Sequence, residues 1–345
     1  MTPESFSPLI EILRGGHVES IHGAAAVVVD YHGNRMAHLG DPELSVYWRS
    51  AAKPFQAWPL IQSGAADSFS LSEREMALAC ASHGGEPRHV EVAAAMLARG
   101  GYSVDHLQCG PHPPMNEAAA QALLRAGETP TSLHNNCSGK HAGMLLLGNH
   151  LQADPGTYLE SHGPVQTAIR AAMSRITGVR EAAIATAVDG CSAPTFRLSL
   201  HSLALAYARL GASLSNGDGD PSLARLARAM TSHPGMVAGE GRLDTALMEA
   251  LPGALIAKLG AEGIYAVGLA GGQQPLGLAV KIADGDADRA RTALILSLLD
   301  WLGVLPSTAR DVLKAQFPGE IYNHRGIQVG TVKVNLADYL LTGGK

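Results

Sequence analysis

A chain of 345 residues, 46% hydrophobic and 17% charged, carries enough apolar material for a sizeable core, in one large domain or two ordinary ones. A formal charge of −5 with no stripe of Lys and Arg excludes the phosphate-neutralising surface that a nucleic-acid partner requires. No apolar run reaches the roughly 20 residues that span a bilayer, and the opening MTPESFSPLIEILRGG is unlike a secretion signal, so a cytoplasmic protein without a membrane partner is expected. Residues 22–31 (HGAAAVVVDY) read as a strand, Gly33-Asn34 as a turn into its partner, and 44–48 (LSVYW) as a third strand. That strand runs directly into Arg49-Ser50-Ala51-Ala52-Lys53-Pro54, where a helix is entered through serine. From about 72 to 180 the pattern is largely helical. Ser72 and Glu75 have capping-box spacing, and helical periodicity recurs near 87–98, 116–127, 140–148 and 164–177.

A strand at 182–188 ends at Asp189-Gly190-Cys191, and helices return at 197–210 and 220–230 around the polar loop SNGDGDPS (215–222). Strands follow at 254–258, 263–269 and 277–283, then a helix over 286–302 and a strand pair around 319–334. Sheet at both chain ends with helices between them predicts an α/β (α+β) protein. Its mixed sheet is formed by both ends, and a helical insertion lies between. As a single unit it divides into an α/β lobe, about 1–66 plus 250–345, and a largely helical lobe, about 67–249.

Ser50 and Lys53 are three residues apart, so on a helix they share one face. A serine hydroxyl is a poor nucleophile until a base takes its proton, and lysine serves only if its pKa falls from about 10.4 towards neutrality. Pro54 is tolerated in a first helical turn, where its missing N–H has no intrahelical partner to lose. Ala81-Ser82-His83-Gly84-Gly85-Glu86 is a second candidate turn. Its glycines allow close backbone approach, for an oxyanion, for a second active serine, or simply for a capped turn.

Four cysteines, Cys80, Cys109, Cys137 and Cys191, form no Cys-x-x-Cys pair. In the cytosol they stay reduced. Cys137 lies in HNNCSGKHAG (134–143) and Cys191 in DGCSAP (189–194). Two thiolates with one or two N or O donors make an open zinc site, for which His141 is the nearest histidine. Spacing alone favours two small buried residues over a metal site.

Together, RSAAKPFQ (49–56), ASHGGEP (81–87), NNCSGKHAGML (135–145), VDGCSAP (188–194) and AKLGAEGIYAVGL (257–269) resemble the rhizobial-type, or thermolabile-form, L-asparaginases over nearly the whole chain. The resemblance implies a fold like that of serine β-lactamases, penicillin-binding proteins and serine-dependent glutaminases, as a homodimer. It implies two Ser–Lys tandems, Ser50 with Lys53 and Ser82 with Lys258, acting on L-asparagine. It also implies Zn2+ held by Cys137, Lys140 and Cys191, close to the chemistry but not performing it. For a free amino acid, Arg49 is the expected partner of the carboxylate and Asp189 of the ammonium, with His83 and His141 lining the pocket. Glutamine and β-lactam hydrolysis, or a non-catalytic small-molecule or zinc-binding protein, are the alternatives.

Overall fold

The computed structural model describes residues 2–215, 220–271 and 274–342, so residues 216–219 of the expected polar loop lie outside the described residues. In chain order the strands are β1 (Ser7–Arg14), β2 (His17–Asp30), β3 (Arg35–Leu39), β4 (Ser45–Tyr47), β5 (Ala185–Val188) and β6 (Pro194–Ser199). They continue as β7 (Leu255–Leu259), β8 (Ile264–Leu269), β9 (Leu276–Ile282), β10 (Glu320–Tyr322), β11 (Gln328–Val334) and β12 (Leu341–Thr342). The chain divides into two compact units. One comprises Met1–Val46, Leu198–Ala212 and Ala246–Lys345, and the other Tyr47–Arg197 and Ser213–Thr245.

The first unit is built on a sheet ordered β10-β11-β1-β2-β9-β8-β7, with β3 paired to β2 and β12 to β3. All described pairings in it are antiparallel. Both chain ends meet in this sheet: Ile10 lies opposite Val334, and Ala24 opposite Ile282. The run Ala24–Val29 is unbroken in hydrophobicity because every one of its residues is buried. The helix Leu200–Ala212 packs on β2, β8 and β9. Gly277 and Gly268 permit that approach, since a Cβ on either would collide with the carbonyls of Ala204 and Tyr207. The helix Thr292–Trp301, entered through a π-helical turn at Ala287–Arg291, packs against β11.

Several elements differ from the sequence reading, among them the helix Leu243–Ala250 and β12, which were not expected. β1 and the helix Ser307–Gln316 were not expected, and β6 occupies Pro194–Ser199 where a helix was placed from 197. Pairing with β5, from Ala185↔Arg197 to Val188↔Pro194, holds that segment extended until Leu200.

The second unit is a helical assembly around Ser138–His150, whose residues from Ser138 to Gly148 are all buried. Helices Lys53–Gln62, Glu73–Ala79 and Pro87–Arg99 pack directly against it, and Lys53–Gln62 also meets Pro164–Thr177 and Pro221–Ser232. Gly139 sets the closest approach, because a Cβ there would strike the carbonyl of Leu78 in Glu73–Ala79. Among the described residues no helix is long and apolar enough to cross a membrane.

Candidate active site

Trp48 donates its backbone N–H to Phe196 O of the β5–β6 hairpin at 2.9 Å, and the chain then enters a 3-10 turn at Arg49–Ala52. Arg49 adopts φ +50°, a left-handed conformation that a non-glycine residue holds only under constraint. Ser50 follows, half-buried. Lys53 closes the turn through its N–H to Ser50 O and begins the helix Lys53–Gln62, with Pro54 in the first turn. Side chains three apart eclipse in a 3-10 turn, so Ser50 and Lys53 lie on one side of the backbone. The Lys53 side chain is 1% exposed. Its Nζ donates to Ala81 O at 2.5 Å and Ser82 Oγ at 2.9 Å. The structure thus brings the first predicted lysine to the second predicted serine, a contact that spacing could not reveal.

Ser82 follows the helix Glu73–Ala79, which begins with the expected capping box: Ser72 accepts from Glu75 N while Glu75 Oε2 accepts from Ser72 N. Four amides of the serine turn are committed elsewhere. Ser82 N donates to Val237 O, His83 N to Asn136 O, Gly85 N to His83 Nδ1 and Glu86 N to His89 Nδ1. The turn is therefore no open cradle of N–H groups. Gly85 sits at φ +73° and a Cβ on it would lie 2.9 Å from His134 O, so glycine is needed here for contact rather than for oxyanion binding.

His83 is wholly buried and stacks on His89, with ring centroids 4.9 Å apart. Because its Nδ1 accepts from Gly85, its Nε2–H donates to Ser138 Oγ at 2.9 Å. Burial, followed by the neighbouring His89 and Lys53, holds its pKa well below the ordinary histidine value. Both nitrogens are used within the protein, which ties the serine turn to the start of Ser138–His150.

The thiol cluster assembles from that helix and from the Asp189–Ala193 turn, which is closed by Asp189 N to Ala193 O and Ser192 N to Asp189 O. All four cysteines are buried free thiols. Lys140 Nζ lies 3.0 Å from Cys191 Sγ. Interaction with Cys191, then the Lys53 and Lys140 charges, draws Cys137 well below the usual thiol pKa, while the interaction with Cys137 and burial push Cys191 up. Burial opposes a charge on Lys140, but Cys137 and Cys191 outweigh it and raise its pKa. His141 is fully buried, and burial depresses its pKa to about 4, so its ring is neutral at neutral pH. Burial pushes Cys109 up to about 12, leaving it a protonated packing thiol.

Arg49 and Asp189 pair with one another rather than standing apart for substrate: Arg49 Nε and Nη2 reach Asp189 Oδ1 at 3.1 and 2.9 Å. Burial works against the Asp189 charge, yet the Arg49 hydrogen bonds hold its pKa low. The loop after Leu107, silent in the sequence, supports both turns. Asn135 Nδ2 donates to Cys109 O and Gly110 O, His112 Nε2 accepts from Asn136 N, and Asn116 N donates to Gly84 O.

Lys258 belongs to the first unit, on β7 opposite Ala266. It is 0% exposed and donates to Leu259 O at 3.2 Å, so it is not a solvated strand end.

Among the described residues no group of three or more His, Cys, Asp or Glu has the arrangement of a metal site. Cys137, Lys140 and Cys191 together make a different set: two soft sulfurs and an amine, buried around one point, a chemistry that suits zinc. A bound ion would displace the lysine proton. The donor set fits the metal implied by the sequence.

A β-lactamase from Mycobacterium bovis resembles the chain at 15% identity and a TM-score of 0.36, over 85% of this chain and 94% of that one. No curated protein sequence matches. The sequence profile described as L-asparaginase II matches residues 10–334, and the chain belongs to that family.

Proposed function

We propose that this amidohydrolase of the asparaginase type hydrolyses L-asparagine to L-aspartate and ammonia, through an acyl-enzyme on Ser50. The observation that carries the reading is the buried Lys53 amine, one 3-10 turn from Ser50 and 2.9 Å from Ser82 Oγ. Ser50 is half-buried and follows the constrained Arg49, whereas Ser82 is 2% exposed. Access and backbone strain both favour Ser50 as the attacking group.

In this mechanism the Lys53 amine takes the Ser50 proton as Oγ attacks the side-chain amide carbon. The proton passes through the Ser82 hydroxyl to the leaving nitrogen, so ammonia departs and an ester remains on Ser50. Water then attacks the ester as Lys53 accepts its proton, Lys53 returns that proton to the departing Ser50 Oγ, and aspartate leaves. The part given to Lys258 rests on the sequence resemblance alone, and the Ser50 N–H serves as an oxyanion donor. Asp189 Oδ1 is taken by Arg49 and Gly190 N, which leaves Oδ2 for the substrate ammonium. Cys137, Lys140 and Cys191 would hold zinc, which supplies a fixed positive charge that orients substrate.

Ammonia release from asparagine and glutamine tests the function. Ser50→Ala should lose about 10³-fold or more, and unchanged turnover in that variant removes Ser50 from the mechanism. One methylene is worth only about 1–3 kcal/mol, so the two amino acids must be compared directly. Ligand binding without ammonia would favour a silent binding protein, and β-lactam turnover alone would favour that substrate. The Lys53–Ser82 contact supports a second reading, in which Ser82 is acylated with Lys53 as its base. A cytoplasmic homodimer is part of the proposal, and sedimentation of the purified protein tests the dimer.

A further inference from the structure

We propose that His89 is a positioning residue for Ser82: its ring ties the end of the serine turn to the segment that holds the start of that turn, and so fixes where the Ser82 hydroxyl stands. The inference rests on the function proposed above only for the part Ser82 plays in proton transfer. His89 lies in the helix Pro87–Arg99 and is 0% exposed. Glu86 N is 3.2 Å from its Nδ1, and Gly235 O is 2.8 Å from its Nε2. A backbone N–H only donates and a carbonyl oxygen only accepts, so the ring accepts at Nδ1 and carries its hydrogen on Nε2. Among the protonation forms of the imidazole, the neutral Nε2–H tautomer alone satisfies both partners.

These two contacts close a loop around the serine. Gly235 belongs to the short helical turn Pro234–Val237, and Val237 O of the same turn accepts from Ser82 N at 2.8 Å. Glu86 ends the serine turn, and its Oε1 accepts from Glu240 N at 3.2 Å. Residues 82–86 are thus pinned to residues 235–240 at both ends, with the His89 ring as the middle link. The fit is close: Gly239 sits at φ +107°, and a Cβ on it would lie 2.5 Å from Glu86 Oε1. Thr245 Oγ1 holds the same segment from its far side, donating to Gly239 O at 2.7 Å. The ring also stacks on His83, whose Nε2–H reaches Ser138 Oγ. The stacked pair therefore braces the serine turn against two separate elements. Held in this way, Ser82 Oγ stands 2.9 Å from Lys53 Nζ. A buried ring with both nitrogens committed to backbone has no site left for substrate, so His89 acts through Ser82.

The test compares wild-type protein with His89→Leu and with His89→Gln, which keeps an N–H for Gly235 O. Amide hydrogen exchange of the peptide containing Ser82, read by mass spectrometry, is the first measurement. His89→Leu should speed exchange there while β2 stays protected, and His89→Gln should slow it again. Unchanged exchange around Ser82 would overturn the proposal. So would acceleration that reaches β2 equally, since that marks a merely structural role. Ammonia release from asparagine is the second measurement. His89→Leu should lower kcat by about 10- to 100-fold with KM unchanged, the scale of a misplaced reacting group, and His89→Gln should recover most of the loss. A loss confined to KM would count against the proposal. Ring nitrogen–proton correlation spectra of 15N-labelled wild-type protein decide the matter even if both variants misfold: an Nε2–H ring is expected at His89, and an Nδ1–H ring would remove the bridge. A wild-type protein that releases no ammonia would end the asparaginase reading alone, because exchange and tautomer still decide whether His89 pins Ser82.

Discussion

The chemistry-bearing residues of this chain are constrained one at a time by their immediate partners. Arg49 shows this: its left-handed backbone presents Ser50, while its guanidinium holds Asp189. The Asp189 pKa is lowered in the fold, so its contribution to stability is full above the ordinary carboxylate pKa. That contribution disappears as pH falls through the lower folded value. Asp189→Asn should therefore cost about 1.5–3 kcal/mol at neutral pH, the range for hydrogen bonds to charged groups. Denaturant unfolding of both proteins should show the gap closing towards acid, and a gap independent of pH would contradict the pairing. The same variant should raise KM for asparagine. Ser50, Lys53, Ser82 and the two thiols were legible because each sits in a reactive string. The Arg49–Asp189 pair, the Lys53–Ser82 contact and the His83–Ser138 bond join segments distant in sequence, and local pattern carries no record of them.

Elements place these residues by close backbone contact. The helix Ser138–His150 brings Lys140 and His141 into the interior because Gly139 lets it lie against Leu78 at the end of Glu73–Ala79, just before Ser82. Gly139→Ala should destabilise the protein by about 1–3 kcal/mol through overpacking. It should also lower turnover more than a surface Gly178→Ala control, which meets nothing within 4 Å but has φ +77° and a small strain of its own. Equal activity in the two variants would show that the helix contact does not position the site. The capping box at Ser72 and Glu75 was readable in the sequence because its logic is local. β6 was not, because the hairpin with β5 and its Asp189–Ala193 turn outweighs the helical pattern that begins near residue 197.

At the scale of the molecule, chain ends that lie far apart in sequence are partners in one sheet, with β11 lying along β1 and β2 along β9. The overall order, sheet at the ends and helices between, was visible as a change of hydrophobic period. The helix Leu200–Ala212 joins the sheet unit only because glycines at 268 and 277 admit it. That is a contact no periodicity announces. Removal of residues 319–345 deletes β10 and β11 and leaves β1 an unpaired edge. The truncated chain should aggregate or lose cooperative unfolding, and a soluble, cooperatively folding product would contradict the role given to the chain ends. Lys258, buried on β7 of that unit, should be needed for turnover, so Lys258→Met is expected to lower kcat with folding preserved.

The serine that carries the acyl group is the most direct point of test. Wild-type protein and Lys258→Met, quenched in acid during asparagine turnover, should yield an aspartyl ester on the peptide containing Ser50 by mass spectrometry. An ester on the Ser82 peptide, or turnover with no ester on either serine, would contradict the mechanism.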